Sequence, residues 1–195
     1  NENYGFAKGN NKALEFAACF NPTYFLLLNN DTLVTPDFLI RLESFMLSND
    51  EYKALTPLIR LYPDTDKIWN CGGKLKAGFR KYFYADQPIS SVAETSHIDI
   101  TFITGCALFI DAKLIEGQKL FTERFFFGEE DFDFSLRMKK ANNKMACLID
   151  SQIYHKVSSS NASAKFLNKT YVYYLNRFID VRLHYGIFMY CAWLL

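Results

Sequence analysis

The chain has 195 residues, 50% of them hydrophobic, which is enough for one domain with a sizeable core. Its 22 basic and 21 acidic side chains give a net charge of +1, which argues against a protein that binds nucleic acid by neutralising phosphates. The five cysteines lack a C-x-x-C pair, so we expect neither a disulfide framework nor a cysteine metal site.

The first half of the chain alternates between two patterns. Apolar residues three and four apart predict amphipathic helices, and short apolar runs between turn residues predict buried strands. Thr35-Pro36-Asp37 marks a helix start, because a capping residue is followed by proline and an acid in the first turn. The predicted elements are a helix over 9–20, a strand over 24–28, a helix over 35–47, a strand over 54–61 broken by Pro57, and loops with one short hairpin over 62–97.

The second half continues this alternation. Three acids at 129–131 predict a helix N-terminus, where the unpaired backbone N–H groups favour negative charge. The predicted elements are strand segments over 98–110 interrupted at Thr104-Gly105, a short helix over 111–116, and then a helix over 128–141, a strand over 145–149 and a helix over 166–185. Helices alternating with strands indicate an α/β fold around a mixed sheet.

The apolar segment from Ile187 to Leu195 follows the last predicted helix. Nine residues are too few to span a bilayer. Two interpretations remain open: the end of a core helix, and the start of an amphipathic helix seated on a membrane. We divide the chain into one domain over 1–185 and the start of an apolar C-terminal segment over 186–195.

Three polar clusters follow predicted strands or begin a helix, which is where ligands gather in α/β sheets. Asp31 follows the strand over 24–28 and could ligate a divalent metal that clamps a diphosphate, although an Asx turn is the alternative. His155 also follows a strand, although a lone histidine is more often structural. The metal hypothesis therefore depends on the combination of the two residues.

The acidic cluster at 129–131 has two interpretations. Dipole capping is one, because acids at a helix N-terminus are stabilised by its free N–H groups. The other is catalysis by Asp131, whose pKa should be raised by burial behind Phe125 to Phe127 and by the neighbouring acids. Asp133 and Arg137 are four residues apart and are expected to form a surface pair.

Six segments form an ordered series of motifs along almost the whole chain. They are Tyr4–Leu14, Phe25–Thr32, Asp99 with Thr104–Ala107, Phe126–Asp133 with Leu136-Arg137, Tyr154-His155 with the serines that follow, and Tyr173–Arg177. This series resembles family 2 glycosyltransferases, especially their rhamnosyltransferase-like branch, with Phe25–Thr32 similar to the D-x-D metal motif. The chain departs from that motif at Asn29, where the family has Asp, and it lacks the family's opening strand.

The resemblance implies a GT-A-like α/β fold with a mixed, mainly parallel sheet, a nucleotide-sugar donor, Mg²⁺ or Mn²⁺, and an inverting single displacement. Asp31 and His155 would hold the metal, Asp131 would be the general base, and Glu130 would assist acceptor binding. The residues expected near the donor are Gly5, Lys8, Asn10, Asn30 and Gly105.

The expected acceptor is a saccharide or lipid-linked saccharide in the synthesis of a cell-surface polysaccharide. We expect a cytoplasmic protein, with peripheral contact to the inner face of the cell membrane left open. That contact would use the apolar C-terminal segment and a basic late helix, whose cations are Lys165, Lys169, Arg177 and Arg182.

Two other functions remain as alternatives. A non-catalytic domain that binds a nucleotide sugar or a glycan would be marked by loss of the base, but Asp131 is present. A sugar nucleotidyltransferase should carry a glycine-rich phosphate loop with a nearby cation, and Gly5 to Gly9 is a poor version of one.

Overall fold

The computed structural model describes residues 2–156 and 163–195, with the backbone but not the side chains of 163–169. Its four helices are α1 (Gly5–Ala18), α2 (Phe38–Ser48), α3 (Glu130–Lys140) and α4 (Ser163–Leu194). Its nine strands are β1 (Tyr24–Leu28), β2 (Thr32–Val34), β3 (Tyr52–Leu61), β4 (Ile68–Asn70), β5 (Gly73–Lys76), β6 (Phe79–Tyr82), β7 (His97–Ile100), β8 (Ala107–Asp111) and β9 (Lys144–His155). Short 3₁₀ turns cover Ile89–Ser91 and Ala112–Ile115.

Seven of these strands form one sheet in the order β1-β8-β3-β9-β2, with β4 added to β3 and β7 to β9. The strands β1, β3 and β9 run in one direction, and β8 runs antiparallel between β1 and β3. The prediction of a mixed α/β sheet is confirmed. Its parallel share is smaller than predicted, because the inserted β8 leaves β3 and β9 as the one parallel pair among the described strands.

Helices cover both faces of this sheet, because alternate residues of a strand point to opposite sides. On β8, Leu108 and Ile110 belong to the cluster that includes residues of α1 and α3. Their neighbours Ala107 and Phe109 belong to the cluster that includes α2. The sheet is therefore the middle layer of three, and the ends of its strands are free to build a site.

One local prediction about the first half is wrong. Thr35 does not cap α2: the helix begins at Phe38, and the Thr35 hydroxyl donates instead to the backbone O of Gln152 in β9, 2.9 Å away. The predicted break at Pro57 is present as a register shift between Pro57 and Leu58, across which β3 continues beside β9.

The last helix is interrupted at Gly186, whose φ of 81° and ψ of −176° are not helical. Arg177 was expected on a basic outer face of this helix, but it is buried, with 4% of its surface exposed. The side chains of Lys165 and Lys169 lie outside the described residues. Among the described helices, none combines the length and the apolar character needed to cross a membrane.

Gly5 allows the start of α1 to approach the loop before α3. Its φ is +71°, and a Cβ atom there would lie 2.2 Å from the backbone O of Phe126. We expect Gly5→Ala to lower the free energy of unfolding by at least about 2 kcal/mol, because it adds this clash to an unfavourable backbone conformation. Urea unfolding measures the effect.

Gly9 provides the matched control, because it lies in the same helix and a Cβ atom there would meet no atom within 4 Å. Gly9→Ala should be neutral or stabilising by up to about 1 kcal/mol, since alanine is the better helix former. Equal effects of the two substitutions would contradict the close approach at Gly5.

Candidate active site

The two predicted metal ligands meet at one end of the sheet. Asp31 follows β1, His155 ends β9, and Asp31 Oδ1 lies 3.1 Å from His155 Nε2. Two backbone contacts hold the pair: Thr32 of β2 pairs with His155, and Lys156 N donates to the Asp31 backbone O at 2.8 Å. The sheet thus brings together side chains that are 124 positions apart in the sequence.

This pair can accommodate a divalent cation. The Asp31 side chain is 36% exposed and the His155 side chain 9%, so one flank of the pair is protected and the other is open. Carboxylate and imidazole are both donors that divalent metals accept, and the open flank leaves room for water or phosphate oxygens. Trp69 packs edge-on against the His155 ring, with the ring centroids 4.3 Å apart, which limits the ring's movement.

Asp131 lies in the first turn of α3, beside the turn that precedes β8. Its Oδ2 accepts a long hydrogen bond from Gly105 N at 3.4 Å, and Arg80 Nη1 lies 3.7 Å from its Oδ1. Burial raises the pKa of Asp131, and the charge of Arg80 opposes that rise. The predicted direction of the pKa shift is therefore present, with a cation that keeps the ionised form accessible.

The expected shielding of Asp131 by three phenylalanines is not observed as predicted. Phe125 is buried, but Phe126 and Phe127 are 61% and 51% exposed. The immediate surroundings of Asp131 are the Arg80 side chain and the Gly105 backbone instead. Gly128 and Glu129, at the end of the loop before α3, both have positive φ.

A cavity of about 520 Å³ opens beside Asp131. Its walls include aromatic rings as well as charged groups, contributed by Trp69, Arg80, Tyr82, Glu130, Asp131 and Tyr173. Trp69, one of its walls, also packs on the His155 ring.

The turn at Gly105 and Cys106 also connects the two carboxylates. Gly105 N contacts Asp131, and Cys106 O accepts a hydrogen bond from Asn29 N at 2.9 Å. Burial, and after it the charge of Asp31, raises the pKa of the Cys106 thiol to about 12. Asp31 and Asp131 therefore flank one turn.

Glu129 is held between two arginines. Its side chain is fully buried; Oε1 accepts from Arg80 Nη2 at 3.0 Å, and Oε2 accepts from Arg177 Nε. Arg177 also donates to Gly78 O at 3.0 Å and to the Tyr173 hydroxyl at 3.0 Å. This ion network joins the β5–β6 hairpin, α3 and α4 around Asp131.

Asp133 and Arg137 do form a pair, with 2.9 Å between Oδ2 and Nε, but it is not the predicted surface pair. Asp133 is buried, because His184 from α4 and Thr122 cover it with further hydrogen bonds at 2.8 and 2.7 Å. Burial alone would raise the pKa of Asp133, but the hydrogen bond from His184 and the charge of Arg137 lower it to about 2.

The predicted donor contacts divide into two groups. Gly105 lies in the site, and Asn30 is an exposed neighbour of Asp31. The three on α1 contact other parts of the protein: Gly5 packs on Phe126, Asn10 Nδ2 donates to Phe6 O at 2.9 Å, and Lys8 lies over the Tyr4 ring.

Several residues of the site were not predicted from the sequence. Arg80 lies on a short hairpin strand without a recognisable motif, and Trp69 lies on the short strand β4. Arg177 belongs to the motif Tyr173–Arg177, which could have indicated an internal role. The serines at 158–160, part of the motif that begins at Tyr154, lie outside the described residues.

Comparisons with known proteins agree with this architecture. A family model described as glycosyl transferase family group 2 matches residues 24–195. The chain is similar to the crystal structure of GalNAc-T7 with UDP, GalNAc and Mn²⁺, with a TM-score of 0.61 and 13% identity over 78% of this chain and 30% of that one. At this identity the likeness establishes a GT-A-like fold alone, and no curated protein sequence matches significantly.

Glu130 makes the site sensitive to pH. It is buried, its Oε2 has no hydrogen-bond partner among the described residues, and burial and then Asp131 raise its pKa to about 7. The folded state therefore favours the neutral carboxyl of Glu130. The stability that the neutral carboxyl contributes is present at low pH and is lost as the pH rises through 7. The difference in unfolding free energy between Glu130→Gln and wild type should therefore depend on pH. From pH 5 to pH 8.5 it should shift by roughly 1 to 3 kcal/mol in favour of the variant.

Urea unfolding at the two pH values tests this expectation. Glu123→Gln is a control of opposite sign, because hydrogen bonds from Lys119 and Asn11 lower the Glu123 pKa. The unfolding free energy of Glu123→Gln, relative to wild type, should not rise at the higher pH. An unchanged difference between wild type and Glu130→Gln across the range would show that Glu130 is not held neutral.

Proposed function

The chain belongs to glycosyl transferase family group 2, and we propose that it moves a sugar from a nucleotide-sugar donor to an acceptor hydroxyl with inversion at the anomeric carbon. The observation that carries this proposal is the position of Asp131. Its side chain is 21% exposed, lines the cavity, and flanks the same turn as Asp31.

In the proposed reaction Asp131 is the general base. It accepts the proton of the acceptor hydroxyl while that oxygen attacks the anomeric carbon and the bond to the diphosphate breaks on the opposite face. Burial makes the carboxylate more basic, and the charge of Arg80, 3.7 Å away, opposes the rise in its pKa and so favours the ionised form. A single displacement needs one base and no protein nucleophile, and it inverts the configuration.

Asp31 and His155 are the proposed ligands of Mg²⁺ or Mn²⁺. A cation bound there would stabilise the negative charge that develops on the departing diphosphate. Asn29 occupies the first position of the segment similar to the D-x-D motif, and its backbone N donates a hydrogen bond to Cys106 O. Because Asn29 has no carboxylate, Asp31 is the acid of this segment. Asn30 and Gly105 adjoin the two carboxylates and are our preferred donor contacts.

The cavity walls suit a saccharide acceptor. Trp69, Tyr82 and Tyr173 present rings to the cavity, and amphipathic rings of this kind pack against the apolar faces of ligands. Glu130, with its free Oε2, is placed to bind an acceptor hydroxyl.

For the identity of the substrates we propose rhamnose as the sugar and a cell-surface polysaccharide or lipid-linked glycan as the acceptor, from the resemblance to the rhamnosyltransferase-like branch. We further propose a cytoplasmic enzyme that touches the inner face of the membrane. Phe188 and Leu194, 90% and 57% exposed near the end of α4, support such a contact. With Arg177 buried, the apolar residues and not the cations carry this part of the proposal.

Asp131→Asn is the decisive variant. It keeps the size and most hydrogen bonds of the side chain but cannot accept the proton. We expect transfer to fall by about a hundredfold or more, the usual consequence of removing a general base. Donor affinity should change little, because the base acts on the acceptor. The measurements are product formation with a panel of nucleotide sugars and calorimetric donor binding, both with the full-length protein.

Asp31→Ala is the matched comparison, because it should abolish metal-dependent donor binding. Transfer by Asp131→Asn at close to the wild-type rate would exclude Asp131 as the base, and Glu130 would be tested next. A nucleotidyltransferase would instead make a nucleotide sugar from a nucleoside triphosphate and a sugar phosphate. A non-catalytic binding domain would bind the donor, but neither the wild type nor Asp131→Asn would form product.

A further inference from the structure

A second group of metal-ligand side chains lies between α3 and α4. One oxygen each of Asp133 and Asp180 and one ring nitrogen of His184 all lie within 4.8 Å of one another. Among the side chains that the structure describes, this is the one such group of three. It is distinct from the Asp31–His155 pair, which lies at the end of β1 and β9.

Asp180 is the unusual member of this group. It has no exposed surface, and neither of its carboxylate oxygens has a hydrogen-bond partner among the described residues. His184 Nδ1 is also buried without such a partner. Buried carboxylates are almost always paired or bound to a metal, because removing their charge from water is unfavourable.

The neighbouring protein groups do not satisfy Asp180. Asp133 Oδ2 accepts from Arg137 at 2.9 Å and from Thr122 at 2.7 Å, and its Oδ1 accepts from His184 Nε2 at 2.8 Å. Burial, and after it the charge of Asp133, raises the pKa of Asp180 to about 8. Arg177 and Arg124 oppose this rise, but neither forms a salt bridge with Asp180. Two acids therefore face one imidazole in a closed space.

We propose that Asp133, Asp180 and His184 form a binding site for a divalent transition-metal cation, foremost Zn²⁺. Carboxylate oxygen and imidazole nitrogen are both ligands that Zn²⁺ accepts, and a water molecule would complete a four-coordinate site. The cation takes the place of the proton between His184 Nε2 and Asp133 Oδ1 and gives Asp180 a partner. Mg²⁺ fits less well, because it prefers oxygen ligands and retains its waters.

The site has a structural role. Asp133 lies two residues after Asp131 on α3, and Asp180 and His184 lie one turn apart on α4. A cation bound to all three joins the helix that carries the proposed base to the last helix. It reinforces the contact that Arg177 and Glu129 make nearer the start of α3.

The test uses the full-length protein with Asp31→Ala, which removes the other candidate metal site. Co²⁺ serves as the spectroscopic probe, and thermal unfolding is followed with Zn²⁺ or with EDTA. We expect the visible absorption of one bound Co²⁺, and a Tm higher by roughly 5 to 10 °C at Zn²⁺ about 100-fold above Kd. Adding His184→Gln should remove both responses, whereas adding His97→Gln, which changes a histidine on β7, should preserve them.

Asp180→Asn guards against a variant that fails to fold, because it keeps the shape of a buried side chain whose carboxyl oxygens have no hydrogen-bond partner among the described residues. We expect it to be at least as stable as the parent in EDTA and insensitive to Zn²⁺. The proposal is overturned if the Asp31→Ala protein binds no Co²⁺, or if Asp180→Asn or His184→Gln leaves the Zn²⁺ response intact. Sugar transfer is not a readout, so either result leaves the role of Asp131 to its own test.

Discussion

A buried carboxylate between two guanidinium groups joins the parts of this domain that surround the proposed base. Glu129 lies under α4 with no exposed side-chain surface, and Arg80 and Arg177 neutralise its charge. Each arginine also packs on an aromatic ring: Arg177 Cζ lies 3.7 Å from the centroid of Phe132, and Arg80 Cζ lies 5.0 Å from that of Phe102. Loss of either arginine would leave a buried charge partly uncompensated, so the hairpin, α3 and α4 depend on one another.

This network also explains an unfavourable backbone conformation. Glu129 has a φ of 72°, which a non-glycine residue adopts only at a cost of about 1 to 2 kcal/mol. The two arginines hold it there, with Asn176 donating to the carbonyls of Phe127 and Gly128 at 3.1 and 2.8 Å. As a result Asp131, in the first turn of α3, faces the turn at Gly105. Arg80 contacts both Glu129 and Asp131 there.

The sequence was informative where function follows from strand ends. The strand Tyr24–Leu28 was predicted with its observed limits, and Asp31 and His155 are neighbours because β2, which directly follows Asp31, pairs with the end of β9. It was uninformative where a residue's partner is distant in the chain. Arg177 has a charge typical of a surface residue, and its partner Glu129 lies 48 positions away, so the pattern of its own helix does not show that it is internal. Arg80 belongs to a four-residue strand, too short for a periodic pattern.

We expect Glu129 and Arg177 to act as a coupled pair that holds together the parts of the domain around Asp131. A double-mutant cycle with Glu129→Gln and Arg177→Met, measured by urea unfolding, tests it directly. We predict a coupling free energy of at least about 2 kcal/mol, because Glu129→Gln removes the carboxylate that pairs with Arg177, and Arg177→Met leaves Glu129 buried with Arg80 as its remaining ionic partner. Effects that add to within about 0.5 kcal/mol would contradict the claim, since that is the behaviour of independent sites.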